Sequence, residues 1–331
     1  MERNRILVFG PGIVPVFSPE KEGYSMSDVL KAVIVFFLLL SLGGCSSQGQ
    51  AEEIKEPEVL APEERYEVPE FAISEFNEEA AESKNGAYID VSNVSKGYVA
   101  VKAVSEKRLK FQVLTENTYN YDLSKDGKVS IFPLQSGDGE YTFRVMENIS
   151  DNKYAVLFQT SAQVSLEDEF QPFLRSSDYV AYTKESECVK LADTFAASSS
   201  TALDVVSKVY DHVCAHITYD KPKAENIRSG YLPDPDETLS TGKGICFDYA
   251  SLTAAMLRSQ GIPCKVIFGY VSPNDLYHAW NMFYTKESGW VTVKFEVNEK
   301  EWTRMDLTFS ANGSDQRFIG DGSNYADVYE Y

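Results

Sequence analysis

From Ala87 to about Leu166, apolar and polar positions alternate with period two. The segments "AYIDV", "GYVAVKAV", "KRLKFQVL", "NTYNYDL", "KVSIFPL", "EYTFRVME" and "KYAVLFQT" are short and rich in Val, Tyr, Phe and Ile. Turn residues separate them, among them Ser92-Asn93, Lys96-Gly97, Asp126-Gly127, Gly137-Asp138-Gly139 and Asp151-Asn152. Short alternating segments at this spacing predict an antiparallel sandwich. After "EFQPFLRSSDYVAYT" the texture becomes helical. A short helix is expected over 186–195. A longer one over 201–217 carries a single apolar stripe of Leu203, Val206, Tyr210, Val213, Cys214 and Ile217. A Pro- and Asp-rich loop follows, then a helix over 246–260 and strands over 264–271, 279–285, 289–297 and 304–309. The expected fold is α+β: a β-sandwich-like domain, then helices packed on an antiparallel sheet.

The start of the chain reads as an address. In "VLKAVIVFFLLLSLGGC", Lys31 precedes an apolar run from Ala32 to Leu40, too short for a spanning helix and of the length of an export signal. Met26 is the better start for such a signal. Leu42-Gly43-Gly44-Cys45 resembles a bacterial lipobox, after which Cys45 would receive lipid and become the new N-terminus. Ser46–Glu70 holds eight Glu and three Pro among few apolar residues, the composition of an extended linker. The expected organisation is an export signal over 1–44, a lipidated Cys45 and acidic linker over 45–84, a β-sandwich-like domain over 85–175 and a catalytic domain over 176–331. This places the protein on the extracytoplasmic face of the cell membrane, held by its lipid.

The net charge of −19 argues against nucleic-acid binding, which needs basic residues to neutralise phosphates. Residues 1–44 carry as many basic as acidic side chains, so their removal leaves that charge unchanged. With 43% hydrophobic residues, including 19 Phe and 20 Tyr, the chain can build a sizeable core. Beyond Cys45 stand Cys188, Cys214, Cys246 and Cys264, too few for a disulfide framework, though with room for one bridge such as Cys188–Cys214.

In "STGKGICFDYASLTAAMLRSQGIPCK", Cys246 follows Gly242 and Gly244 at the mouth of a helix. A helix N-terminus favours a thiolate through its unpaired N–H groups and dipole. The bland alternative is a structural Cys starting a core helix. A thiolate needs a base, and three histidines exist. His212 lies far from the apolar stripe of its helix and is expected in solvent; His216 lies at the stripe's edge. Their i, i+4 spacing suits zinc, but the intervening Glu of a zinc-protease helix and a third ligand are missing, so no metal and no cofactor are expected. His278, in "LYHAWNMFY", stands at a strand mouth beside Trp280. Asp306, in "EWTRMDLTF", stands between Met305 and Leu307, where a carboxylate needs a partner. Cys, His and Asp on successive elements follow the nucleophile–base–orienter logic of covalent acyl transfer.

The blocks "GKGICFDYASLTAAMLRSQGIPCKVIFGY", "YHAWN" and "WTRMDLTF" resemble the core of the transglutaminase-like superfamily, closest to its bacterial cell-surface lipoprotein members. The resemblance covers about Tyr182 to Phe309. It implies a papain-like fold, with Cys246 as nucleophile, His278 as general base and acid, and Asp306 as orienter. It also implies an acyl-enzyme made from an amide of a protein or cell-wall peptide, resolved by water or an amine. Asp248 is read as stabilising its helix and Tyr249 as packing. Many relatives carry an acidic residue where this chain has Met282, which bears on the groove wall. The other function class is a non-enzymatic surface scaffold that keeps the fold.

Overall fold

Each of the seven alternating segments forms a strand in the computed structural model, which describes residues 61, 65–271, 276–286, 288–292 and 325–331. These residues belong to one compact unit. The export signal, Cys45 and Asp306 lie outside the described residues. In chain order the strands are β1 (Glu82–Lys84), β2 (Ala87–Asp90), β3 (Tyr98–Ala103), β4 (Leu109–Leu114), β5 (Thr118–Leu123), β6 (Ser130–Pro133), β7 (Gly139–Ser150) and β8 (Lys153–Val164). They form two four-stranded sheets, β1-β2-β3-β6 and β5-β4-β7-β8, with antiparallel neighbours throughout. Alternation puts one face of each strand inward. Ile89, Val99 and Val101 from one sheet meet Phe111, Val113, Phe143 and Val145 from the other. The Phe111 and Phe132 rings stack between the sheets at 4.7 Å.

The helical half follows with α1 (Glu187–Ala197), α2 (Ala202–His216), β9 (Thr218–Tyr219), α3 (Lys221–Asn226), α4 (Pro235–Thr241), β10 (Lys243–Gly244) and α5 (Cys246–Ser259). The chain then enters β11 (Cys264–Val271), β12 (Leu276–Thr285), β13 (Gly289–Thr292) and β14 (Tyr325–Glu330). The last four make an antiparallel sheet in the order β13-β12-β11-β14. Helix α5 lies on it, and α5 is enclosed: every residue from Asp248 to Ser259 is buried. Two short helices occupy the stretch expected as loop. In each, an aspartate caps the start, Asp220 for α3 and Asp234 for α4, with a proline in the first turn. The Asp and Pro residues that signalled a loop are helix starts here.

The segment read as an acidic linker is docked from Tyr66 onward. The Tyr66 N–H donates to the Ser199 carbonyl (2.6 Å) and its hydroxyl to the Gln260 carbonyl (3.1 Å), and Phe71 packs edge-on to Tyr182 at 5.7 Å. Arg175 adds a hydrogen bond to the Ile73 carbonyl (2.7 Å), and Pro69 lies against Gly261.

The sandwich core and the helix–sheet core meet through shared aromatics. Tyr179 and Phe268 pack against both. Tyr331, just beyond β14, exchanges backbone hydrogen bonds with Val266 (2.7 and 2.8 Å) and puts its ring into the sandwich core, 4.7 Å from Tyr179 and 5.6 Å from Tyr121. Arg258, in the last turn of α5, ties this junction. Its buried guanidinium donates to the carbonyls of Cys264 (2.8 Å), Arg175 (2.8 Å) and Tyr331 (2.9 Å). No aspartate or glutamate side chain among the described residues pairs with it. Replacing Arg258 by Met keeps most of the volume but strands three carbonyls. The expected loss is about 3 kcal/mol or more of unfolding free energy, read by urea titration with the far-ultraviolet spectrum as signal.

Candidate functional site

Local backbone chemistry delivers Cys246 to the first position of α5. Gly242 ends α4 in the left-handed region at φ 63°. A parallel pairing then sets Lys243 beside Thr218 and Gly244 beside Tyr219, with the Asp220 N–H donating to the Gly244 carbonyl at 2.9 Å. Gly244 has no room for a side chain, since a Cβ there would lie 2.7 Å from the Cβ of Asp248. The first backbone bond of α5 runs from the Tyr249 N–H to the Ile245 carbonyl (3.1 Å). The first-turn N–H groups, that of Cys246 among them, have no partner inside the helix.

Asp248 stands two residues after Cys246, in the first turn of α5. Its carboxylate is fully buried. It accepts the Ile245 N–H at 2.8 Å and the Tyr231 hydroxyl at 2.5 Å, and it pairs with Lys223 Nζ at 2.8 Å. The expectation that it stabilises the helix start is met, and the cation that neutralises it comes from α3. Tyr249 packs in the core. Lys223 and Tyr231 lie in the loop-like stretch and carry no sequence signal of their own. Both also line a cavity of about 400 Å³ together with Asn226 to Gly230.

The start of α5 lies near the start of β12, where Tyr277 feels the charge of Cys246, but alternation sets His278 and Trp280 on the face of the sheet opposite the one that α5 covers. Asn281 Nδ2 donates to the Ala250 carbonyl at 3.0 Å, fixing the helix against the strand. The Phe247 and Phe268 rings meet at 4.9 Å, and Phe268 pairs with Ala279 and Gly269 with His278 in the ladder. Ala279 and Phe283 pack in the core beneath α5, while His278 alternates with them and stacks with Trp280 at 6.4 Å. His278 is buried. Two phenols feel the charge of Cys246, Tyr219 and Tyr277; burial, above all, pushes the ionisation of both far above the ordinary tyrosine range, so they stay protonated. Asn281 was not among the residues expected at the site. A buried amide among apolar strand residues was its available signal.

The four described cysteines are free, so no Cys188–Cys214 bridge forms. Cys246 and Cys214 are partly exposed, whereas Cys188 and Cys264 are buried. Burial pushes the Cys264 thiol up to about 12 and raises Cys188 further. The expectation of a solvated His212 is corrected. Its ring is wedged between Phe195 (5.6 Å) and His216 (4.1 Å), and burial first, then the charge of His216, lowers its proton affinity. Periodicity within α2 alone carries no trace of α1, whose Phe195 covers that face. Among the described residues no group of three or more His, Cys, Asp or Glu is placed to hold a metal.

Residues 189–295 match the model of the transglutaminase-like superfamily. Human kyphoscoliosis peptidase is 27% identical over 178 residues, which is 50% of this chain and 26% of that protein. A UPF0252 protein of Methanocaldococcus jannaschii is 28% identical over 132 residues, 37% of this chain and 36% of that one. The chain therefore spans roughly a quarter to a third of these relatives' lengths. Among solved structures, a candidate cysteine protease of Cytophaga hutchinsonii aligns at a TM-score of 0.37 with 15% identity, covering 71% of this chain and 79% of that one.

The close approach at Gly244 makes a direct test of how the site is built. Gly244→Ala should cost about 1–3 kcal/mol through overpacking against Asp248, measured by denaturant unfolding. An unchanged midpoint would mean that the turn into α5 has slack.

Proposed function

We propose that this chain, whose residues 189–295 are a transglutaminase-like core, is an acyl-transfer enzyme acting on amide bonds through Cys246. The observation that carries the reading is the placement of Cys246 as the first residue of a buried helix that packs on β12, the strand whose sequence includes His278. In the proposed reaction the Cys246 thiolate attacks the amide carbonyl and a C–S bond forms. Negative charge develops on the carbonyl oxygen, where the Cys246 N–H, unbonded within the helix, can donate to it. His278, having taken the thiol proton, returns it to the leaving nitrogen as the C–N bond breaks. Water or an amine then attacks the thioester and releases the acyl group. Asp306 is assigned the role of holding the His278 tautomer. The proposed substrate is a protein or cell-wall peptide outside the cell, and Cys45 is the proposed lipid anchor.

Iodoacetamide titration with peptide mass mapping tests the nucleophile. Cys246 should react faster than Cys214 and far faster than Cys188 and Cys264, whose thiols are buried and hard to ionise. Equal rates at all four would remove the activated thiol. Asp306→Asn should lower acylation by roughly ten- to a thousand-fold, less than in hydroxyl enzymes because a thiolate depends less on its base. Wild-type rates in that variant would leave a Cys–His pair without Asp306. Cys45→Ser should move the protein from the membrane fraction to the soluble one, and retention would point to another anchor.

A further inference from the structure

The cation that neutralises Asp248 lies outside the nucleophile's own helix. Lys223 reaches from α3 to the Asp248 carboxylate at 2.8 Å, with its ammonium also over the Tyr231 ring at 4.7 Å from the centroid. Asp248 is 0% exposed, so water does not screen its charge. The Tyr219 hydroxyl feels both Cys246 and Asp248, which places the thiol and the carboxylate in one electrostatic neighbourhood. A buried carboxylate there opposes a second negative charge on sulfur, and the opposition grows as the dielectric falls. The helix N-terminus pulls the other way.

We propose that Lys223 is a positioning residue for the nucleophile: by pairing with the buried Asp248 it cancels the charge that would oppose a thiolate at Cys246. The inference rests on the reading of Cys246 as nucleophile. It assigns a role in the chemistry to α3, which has no place in the Cys–His–Asp set. Asp248 in turn holds the Ile245 N–H, so the same ion pair fixes the backbone from which α5 starts. The other groups around this point are Tyr231 between α3 and α4, with Glu237 of α4 and its cap Asp234 acting on it, Tyr219 on β9, Tyr249 on α5, and Tyr277 on β12. Burial, first of all, raises the ionisation of Tyr219, Tyr231 and Tyr277 well beyond the neutral range.

The test is the pH profile of Cys246 alkylation by iodoacetamide in the full chain, which needs only the thiol and no substrate. In Lys223→Met the pH of half-maximal rate should rise by about one unit, which is about a tenfold slower reaction on the acidic limb. Lys223→Arg should stay near wild type. Lys223→Met combined with Asp248→Asn should return the midpoint to near wild type, because neither charge remains. A midpoint unmoved in Lys223→Met, or moved equally in the double variant, overturns the proposal. Should Lys223→Met not fold, as judged by circular dichroism, Asp248→Asn alone decides. Removing the carboxylate while keeping the ammonium should lower the midpoint, and no change counts against the coupling. Failure of the nucleophile reading looks different: Cys246 in the wild type would then react no faster than Cys214.

Discussion

Helix α5 is anchored by one buried charge at each end, and the rest of the fold is arranged to satisfy those two charges. Arg258 at the C-terminal end reaches the carbonyls of Arg175, Cys264 and Tyr331, which belong to three separate parts of the chain. Asp248 at the N-terminal end takes the Ile245 N–H, the Tyr231 hydroxyl and the Lys223 ammonium. An acid at the start and a base at the end also complement the helix dipole. Burying an ion costs several kcal/mol, and the cost is offset only where every donor or acceptor finds a partner. Leucine at either position would spare that cost. It would also leave the junction of three segments, and the turn that presents Cys246, without a fixed register.

These two anchors explain why the sheet is completed by the far end of the chain. Strand β14 pairs with β11 and carries Tyr331 to the point where Arg258, the sandwich core and Phe268 converge. Without that strand the guanidinium loses one of its three carbonyls and the aromatic cluster loses the ring between Tyr121 and Tyr179. The β sandwich and the helix–sheet layer therefore share a wall of aromatic side chains, and Tyr179 and Phe268 belong to both cores.

Much of this was legible from periodicity. Strands β2 to β8, helices α1, α2 and α5, and β11 and β12 all stand where alternation or the helical stripe puts them, with ends shifted by a few residues, β7 and β8 running furthest beyond their alternating cores. Cys246 as the first residue of a helix was legible from the glycines before it and the apolar face after it. What escaped depends on tertiary partners. Helices α3 and α4 are one or two turns long and form around Asp caps, too short for a stripe. Strand β14 lies in a polar stretch without alternation, and it is a strand because β11 offers it an edge. His212 looked solvated on its own helix and is covered by Phe195 of another. Lys223 carries no local signal, because its meaning resides in Asp248, twenty-five residues later in the chain.

The global charge makes the local arrangement at α5 the deciding one. A chain at −19 surrounds any thiolate with negative potential, but exposed charges beyond about 8 Å are largely screened at physiological salt. A buried carboxylate is not. The one-unit shift expected on removing the ammonium corresponds to about 1.4 kcal/mol, more than the ~0.3–1 kcal/mol a helix terminus usually supplies to an exposed charge. An unneutralised Asp248 would therefore outweigh the dipole that makes a helix start attractive to a thiolate. On the proposed role of Lys223, the charge of the whole surface matters less to a thiolate at Cys246 than whether a single ammonium from α3 stays in place.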